Sequence, residues 1–287
     1  MPSLSSIWTQ LRPPEPGFTE RDLPSLAGKV YIVTGGNTGI GKELARMLYS
    51  KNGTIYLGAR SKEKAKGAID DIKQAEPNST GALVFFHLDL ADLRTIKTSV
   101  ASFTSRESRL DVLFNNAGIQ SLGSGAELAQ TVQGYEIHLG VNTIGTFLLT
   151  ELLTPTLIAT VGTAQPDAVR VVWVSSSAAE FFGEKSVGLP LDNLDYHISR
   201  PALYRYGLSK AGNWLHGVEF AHRRRAAGII SISVNPGNIN SDLYREHNLI
   251  TKLIVAGIAY SPTYGAYTEL FAGLSPQVTI EKTGNWG

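Results

Sequence analysis

Residues Val30-Tyr-Ile-Val-Thr-Gly-Gly-Asn-Thr-Gly-Ile-Gly41 form the stretch that decides the fold. They begin with a continuous apolar run, which is typical of a strand buried on both faces of a parallel sheet. The run ends in a glycine-rich loop, and the pattern of a helix follows over residues 42–50. This order predicts that backbone N–H groups at the helix N-terminus bind the phosphates of a nucleotide. The glycine spacing is not GxGxxG, so the usual dinucleotide fingerprint does not strictly apply.

The alternation of strand and helix continues along the whole chain. The sequence predicts strands at 30–34, 54–59, 82–88, 110–114, 169–174 and 229–234, with helices at 42–50, 62–74, 93–105 and 206–227. A further helical region is expected up to about residue 159, with a break near Gly140-Val-Asn142. Because no linker interrupts the pattern, we expect a single α/β domain. Its fold class is a Rossmann-type doubly wound parallel sheet of six to seven strands with helices on both faces.

The chain divides into a short arm and this one domain. Residues 1–28 carry several prolines without clear periodicity and are predicted to form an N-terminal arm. The domain comprises residues 29–287. Two segments near 178–203 and 238–262 carry bulky apolar side chains after predicted strands, so we expect them to bind the substrate.

Composition is typical of a compact soluble protein. Of 287 residues, 43% are hydrophobic and 18% are charged, and the net charge is +1. There is thus no electrostatic case for nucleic acid or an anionic membrane as a partner. The absence of cysteine excludes disulfides and is compatible with a reducing compartment. With neither a signal peptide nor an apolar run of membrane-spanning length, we expect a cytoplasmic protein without a membrane span. The histidine spacing predicts no metal site.

Residues suited to ligand binding follow the carboxyl ends of the predicted strands, where ligands bind in doubly wound sheets. Asp89 follows the third strand and Asn115-Asn-Ala-Gly118 follows the fourth. Ser175-Ser-Ser177 follows the fifth strand and Asn235-Pro-Gly237 the sixth. Chance is less able to explain why all these residues lie at one edge of the sheet than to explain any single motif.

The end of the second strand indicates which nicotinamide cofactor is bound. An acidic residue there would accept hydrogen bonds from the ribose 2′-hydroxyl of NAD, whereas arginine suits the 2′-phosphate of NADP. The chain reads Gly58-Ala-Arg60 at this point. The sequence therefore favours NADP(H).

Tyr206 and Lys210 are a candidate catalytic pair. They lie four residues apart on the longest predicted helix and therefore share one face. A phenol with a pKa of about 10 is a poor acid–base catalyst at neutral pH. An ammonium one turn away stabilises the tyrosinate and lowers that pKa. Such a pair also occurs by chance on many helices, so its weight comes from the nucleotide motifs elsewhere in the chain.

These ordered motifs resemble the short-chain dehydrogenase/reductase family over about residues 27–275. The matches are Thr34–Gly41 with the family's TGxxxGxG loop, Asn115–Gly118 with NNAG, Tyr206–Lys210 with YxxxK, and Asn235–Gly237 with NPG. The glycine loop and the arginine after the second strand are similar to those of NADP-preferring retinol dehydrogenase-like and fungal reductases.

The resemblance implies a catalytic tetrad of Asn, Ser, Tyr and Lys. Tyr206 and Lys210 map directly, and Asn142 matches the asparagine of the family's VNxxGxF helix. Three serines are candidates for the fourth member, and the family's register selects Ser176. In the reducing direction the tyrosine would donate a proton to the developing alkoxide and the serine would hydrogen-bond the same oxygen. The lysine would lower the tyrosine pKa and bind the nicotinamide ribose, and the asparagine would hold a water as a proton relay.

The cofactor-binding residues implied by the resemblance lie in the loops at the same edge. They are Gly35, Asn37, Thr38, Gly39, Ile40, Gly41, Arg60, Asp89, Leu90, Asn115, Asn116, Ala117, Gly118, Pro236, Gly237, Ile239 and Ser241, together with Tyr206 and Lys210. The candidates for contact with the substrate are Phe181, Phe182, Tyr204 and Tyr244. These side chains favour a bulky apolar or aromatic carbonyl compound.

We therefore expect an NADP(H)-dependent oxidoreductase that transfers hydride between the nicotinamide and a carbonyl or secondary alcohol, as in fungal secondary metabolism. Two alternatives use the same fold, which does not determine function by itself. One is an isomerase, epimerase or cyclase without net redox, and the other is a non-catalytic nucleotide-binding protein. The intact tetrad favours net redox chemistry. Helices after Asn142 and Tyr206 often form subunit contacts in the family, which is compatible with a homodimer or tetramer.

Overall fold

A computed structural model describes residues 8–10, 12–121, 129–184, 187–239 and 259–285. Within them six parallel strands form one sheet: β1 Val30–Thr34, β2 Thr54–Ala59, β3 Ala82–His87, β4 Val112–Asn115, β5 Arg170–Val174 and β6 Ile230–Val234. The strand order is β3-β2-β1-β4-β5-β6. The chain direction across the sheet reverses between β1 and β4, which creates a crevice at their carboxyl ends. The predicted fold class is confirmed.

Seven α-helices cover the two faces of the sheet in the described part of the chain. They are α1 Gly39–Ser50, α2 Lys62–Ala75, α3 Leu93–Thr104, α4 Thr146–Val161, α5 Ala178–Phe182, α6 Ala202–Arg224 and α7 Pro262–Leu274. Neighbouring residues of β1 serve different cores, because Val33 packs with α1 and α7 whereas Ile32 packs with α3, α4 and α6. This alternation explains why the strand is apolar at every position.

Two helices begin earlier than predicted. Helix α1 starts at Gly39, inside the glycine loop, so its first turn lies at the crevice. Helix α6 starts at Ala202 directly after Pro201, a residue whose fixed φ is compatible with a helix start. Tyr206 therefore lies in the second turn of α6 and not at its end.

The predicted break near residues 140–142 is a π-helical stretch, Leu139–Gly145, which runs directly into α4. By length and composition alone, Leu139–Val161 could cross a membrane, and 44% of its most apolar window is buried. Leu149, Leu153 and Leu157 are fully buried in the core beneath the sheet. A core helix passes the same compositional test, so this stretch is weak evidence for a membrane span.

Both ends of the described chain contact the domain. Phe18 is buried, and its ring packs edge-on against Phe271 at 6.2 Å between centroids. At the other end, Gly284 N donates to Ser231 O of β6 at 2.8 Å. Among the described residues this contact does not extend into a seventh strand.

Candidate active site

A cleft of about 460 Å³ opens at the carboxyl ends of the strands. Its volume lies within the range of small-molecule and cofactor sites. The predicted residues that line it are Gly35, Asn37, Thr38, Gly39, Ile40, Arg60, Asp89, Leu90, Asn116, Ala117, Gly118, Tyr206, Lys210 and Pro236. The loops that follow five strands, β1 to β4 and β6, thus contribute to one cleft.

Other predicted cofactor residues lie away from the wall of this cleft. Asn115 is buried, and its Nδ2 donates to Thr150 Oγ1 at 2.9 Å, because the last side chain of β4 points to the α4 face. Gly41 packs behind the loop, where a Cβ would lie 2.5 Å from Asn116 Nδ2. Gly237 and Ile239 line a second cavity of about 590 Å³. Ser241 and Tyr244 lie outside the described residues.

The glycine loop presents the start of α1 to the cleft. Gly35 has a φ of +69°, a left-handed conformation that favours glycine, and its N–H donates to Gly58 O at 2.8 Å. Thr38 has an extended backbone and precedes the first helical residue. The first N–H groups of a helix have no acceptor within the helix. They and the helix dipole favour an anion at this point, as a pyrophosphate requires.

Two cations line the cleft near the end of β2. Arg60 is the predicted one, and Lys64 in the first turn of α2 is a second that the sequence reasoning missed. Its place in the first turn of the helix that follows β2 could have revealed it, because that helix begins two residues after Arg60. Asp89 is the single carboxylate among the described residues that line the cleft, and its Oδ1 accepts from Ala91 N at 2.9 Å.

The loop after β4 is tied to the end of β1. Asn116 Nδ2 donates to Thr34 O at 2.7 Å, and Ala117 N donates to Thr34 Oγ1 at 2.9 Å. At Gly118 a Cβ would lie 2.9 Å from Lys210 Nζ. A larger residue at this position would therefore displace the end of the lysine side chain.

Tyr206 and Lys210 are brought together in the cleft, and both are buried. Lys210 Nζ donates to Val174 O at 2.9 Å and lies 5.9 Å from the centroid of the Tyr206 ring. Burial lowers the pKa of Lys210 to about 8, while attraction to Glu269 acts in the opposite direction. A lysine in this range can exchange its proton near neutral pH.

Asn142 lies in the π-helical stretch and braces two other elements. Its Oδ1 accepts from Ile119 N at 2.8 Å, and its Nδ2 donates to Ile119 O at 3.0 Å and to Ser209 Oγ at 2.9 Å. Both ends of the amide are therefore engaged by the protein. These contacts join the cleft loop to α6, and the expected role in holding a water stays a prediction.

The three serines after β5 have separate environments. Ser175 is buried, lines the cleft and donates from Oγ to Lys210 O at 2.7 Å. Ser176 is half-buried, and its Oγ accepts from Ala178 N at 3.2 Å. The described cleft wall includes Ser175 and not Ser176. The Ser175 hydroxyl is thus committed to the backbone of α6, and the assignment of Ser176 stays a prediction.

The substrate candidates Phe181, Phe182 and Tyr204 also lie off the cleft wall. Phe181 is 54% exposed on α5. Phe182 packs edge-on against Tyr204 at 6.3 Å, and the Tyr204 hydroxyl donates to the Glu184 carboxylate. Because α5 packs against α6, these aromatic side chains are used to join the two helices.

A buried charged cluster beside Tyr206 was missed by the sequence reasoning, which considered the histidines only as metal ligands. His138 Nδ1 donates to Glu136 Oε1 at 2.6 Å, and Arg205 Nε donates to the same oxygen at 3.1 Å. His138 Nε2 accepts from Ser121 N at 3.0 Å, and the imidazole lies edge-on to the Tyr206 ring at 6.2 Å. Burial alone would raise the pKa of Glu136, but the bonds from His138 and the backbone and the charge of Arg205 lower it overall.

Glu269 of α7 was missed as well. It is completely buried, and neither carboxyl oxygen has a hydrogen-bond partner among the described residues. Burial raises the pKa of Glu269 to about 8, opposed by the charge of Lys210. The available signal was a single acid at the helical spacing of the core residues Gly265, Ala266 and Leu270.

Comparisons with known proteins agree with this geometry. The family model for short chain dehydrogenases matches residues 29–187. A short-chain dehydrogenase/reductase of Phaeosphaeria nodorum is 52% identical over 99% of this chain and 90% of its own length. An uncharacterized oxidoreductase of Schizosaccharomyces pombe is 34% identical over 93% of this chain and 78% of its own. The crystal structure of a 3-ketoacyl-(acyl-carrier-protein) reductase from Brucella melitensis, complexed with NADH, covers 91% of this chain and 96% of its own with a TM-score of 0.69 and 23% identity.

Proposed function

The chain belongs to the short-chain dehydrogenase/reductase family, and we propose that it is an NADP(H)-dependent oxidoreductase. It would transfer hydride between the nicotinamide and a carbonyl or secondary alcohol. The observation that carries the proposal is that one cleft is lined by the glycine loop, by Arg60 and by the Tyr206–Lys210 pair.

The described residues fit a nicotinamide dinucleotide. The loop from Gly35 to Ile40 and the start of α1 would hold the pyrophosphate. Arg60 and Lys64 would bind a 2′-phosphate, and no carboxylate stands at the end of β2 to accept from a 2′-hydroxyl. Two cations without a competing acid support NADP(H) over NAD(H).

When bound, the reduced nicotinamide supplies a hydride to the substrate carbonyl carbon. Tyr206 donates its phenol proton to the carbonyl oxygen as that oxygen gains negative charge. The ammonium of Lys210 stabilises the tyrosinate that remains. A lysine has three N–H donors, and one of them is used by Val174 O. The other two are available for the tyrosine oxygen and a ribose hydroxyl.

Ser176 and Asn142 would act around this pair. We assign Ser176 to hydrogen-bond the substrate oxygen, on the strength of the family register. Asn142 would keep Ile119 and Ser209 in place, and Ser209 directly precedes Lys210. A change of Asn142 would therefore disturb the position of the lysine as well as the cleft loop.

The second cavity supports a bulky apolar or aromatic substrate. It shares Pro236 with the cleft, and its aromatic lining residues are Phe18, Tyr260, Tyr264, Tyr267 and Phe271. The relatives cited above from Phaeosphaeria and Schizosaccharomyces are fungal proteins, which supports a place in fungal metabolism. A cytoplasmic location and a homodimer or tetramer complete the proposal, and exposed Phe147 and Trp214 on α4 and α6 could serve subunit contacts.

The test combines binding and turnover. Titration with NADPH and NADH, followed by nicotinamide fluorescence, should show a preference for NADPH that Arg60→Ala removes. Tyr206→Phe should lower kcat on aromatic ketones and aldehydes by about 10²–10⁴-fold and leave NADPH affinity unchanged. Failure to bind either nucleotide would sink the proposal. Product formation without NADPH consumption would point instead to an isomerase, epimerase or cyclase.

A further inference from the structure

Glu269 is an acid in a place where an ionised acid is unfavourable. Its side chain is completely buried on the sheet-facing side of α7, and both carboxyl oxygens are without a hydrogen-bond partner in the described structure. Buried carboxyl groups are normally paired or hydrogen-bonded, since burial without a partner disfavours the charged form. A leucine or alanine would fill the same position without this penalty, so packing does not explain the acid.

Glu269 lies on the part of α7 that packs near the end of β5. The side-chain nitrogen of Lys210 reaches the same strand end. Thr268, next to Glu269 on α7, lines one cavity with Val234 of β6, and Val234 is paired with Val174 at the end of β5. Lys210 approaches from α6 on the other face of the sheet and donates to Val174 O at 2.9 Å. Asn213 Nδ2 donates to the same carbonyl at 3.1 Å. The acid and the lysine therefore flank one strand end from opposite faces.

Other charged groups on the elements packed against α7 are engaged elsewhere. Arg46 of α1 bonds Glu43 at 3.1 Å and Glu76 at 2.6 Å, and Lys42 bonds Asp71 at 2.6 Å. Arg170 of β5 donates to Ala272 O and Ser275 O, both at 3.0 Å, at the far end of α7. The charge that acts on Glu269 is that of Lys210, and the influence is mutual.

We propose that Glu269 is a positioning residue that keeps Lys210 in its ammonium form from the opposite face of the sheet. The inference deepens the proposed function and rests on it, because it assigns a partner to the proposed catalytic lysine.

The physical basis is a coupled titration of two buried groups. As the pH rises, the neutral acid can release its proton while the lysine stays charged, and the carboxylate so formed then attracts the ammonium. Burial lowers the pKa of Lys210 and raises that of Glu269, and the attraction between their charges opposes both shifts, so the two titrations are brought close together. Without the carboxyl, the first proton lost from the pair must come from Lys210. The lysine would then lose its charge at a lower pH.

The experiment measures NADPH affinity by nicotinamide fluorescence at pH values from about 6 to 10, without any substrate. In the wild type the affinity should fall at high pH, where Lys210 loses the charge that binds the ribose. Glu269→Gln should move this fall to lower pH by about one unit, because a nearby opposite charge shifts a pKa by one unit or more. Thr268→Val, on the same helix, should leave the pH of this fall in NADPH affinity unchanged. In Lys210→Met the fall should be absent.

The outcomes are distinguishable. A wild type that does not bind NADPH contradicts the proposed function itself. Binding with the same pH dependence in wild type and Glu269→Gln overturns the inference alone, and so does a fall that persists in Lys210→Met. If Glu269→Gln does not fold, Glu269→Leu provides the same comparison. Infrared spectra of the nucleotide-free wild type give an independent readout, since a protonated acid band must be present at about pH 6.5 and disappear as the pH rises.

Discussion

Two buried carboxyl groups flank the proposed catalytic pair, and their surroundings are opposite. Glu136 accepts hydrogen bonds from His138, Arg205 and the backbone N–H of Leu139, and its pKa is lowered. Glu269 has no hydrogen-bond partner among the described residues, and burial raises its pKa to about 8. Both side chains are almost completely buried. Burial alone therefore does not decide whether an acid in this protein is charged, because the partners do.

The contrast separates two kinds of buried charge. The Glu136 cluster joins the loop at Ser121 to the first turns of α6, so we expect it to hold the cleft in shape. Glu269 holds nothing in place through hydrogen bonds and remains free to change its proton. We thus expect Glu136 to stabilise the structure of the site and Glu269 to influence the charge of the site.

The largest expected effect comes from breaking the partnered cluster. Glu136→Gln should lower the free energy of unfolding by about 3–5 kcal/mol, because Arg205 would be left buried without its counter-charge. Urea denaturation at neutral pH measures the change. Since the folded-state pKa of Glu136 is lowered, its stabilisation is present above the ordinary value of 4.5 and is lost as the pH falls through the lower folded-state value. The difference between variant and wild type should therefore shrink in acid.

The exposed carboxylate of Glu219 provides a matched control, since it also bonds an arginine, Arg223, at 2.6 Å. Glu219→Gln should leave the urea midpoint unchanged, because exposed ion pairs contribute little. An equal loss of stability in both variants would show that the buried cluster at Glu136 contributes no more to the free energy of unfolding than an exposed ion pair.

The opposite sign is expected at the unpartnered acid. Glu269→Leu should raise the free energy of unfolding by about 1–3 kcal/mol at pH 8.5, because it removes a buried carboxyl group that has no hydrogen-bond partner among the described residues, while Lys210 can respond by releasing its proton. The folded-state pKa of about 8 lies above the ordinary 4.5, so the native wild type loses stability as the pH rises between these values. The advantage of leucine should accordingly grow from pH 5 to pH 8. A leucine variant less stable than the wild type at pH 8.5 would contradict this account.

The smallest effect tests whether charge or shape matters at Glu136. Arg205→Lys keeps a cation beside the carboxylate but removes the planar donor at 3.1 Å, so we expect a loss of about 1 kcal/mol. The measurement is again urea denaturation, with Glu136→Gln beside it. If both variants lose the same amount, geometry and not charge stabilises the cluster.

Local sequence patterns predicted the fold well, because the positions of strands and helices depend mainly on residues close together in the chain. The alternation of apolar strands and helices placed all six strands within two residues of their ends, and the glycine loop with Arg60 identified the cleft. The structure adds how individual positions of these motifs are packed. The side chain of Asn115 is directed to α4, Gly41 packs behind the glycine loop, and Ser175 lines the cleft. A sequence motif identifies the loop that lies at the site, but the packing of the chain decides which residues of that loop line the cleft.

The sequence by itself determined the fold class, the edge of the sheet that carries the site and the pairing of Tyr206 with Lys210. The pairing depends on two residues four positions apart, and the fold class and the sheet edge depend on local strand and helix periods that repeat along the chain. Only the tertiary structure decided that Glu136 bonds Arg205, 69 residues away, and that Glu269 is buried without a hydrogen-bond partner among the described residues. Folding brings segments that are distant in the chain around these two acids. Because both are buried, the presence or absence of a hydrogen-bond partner decides their protonation.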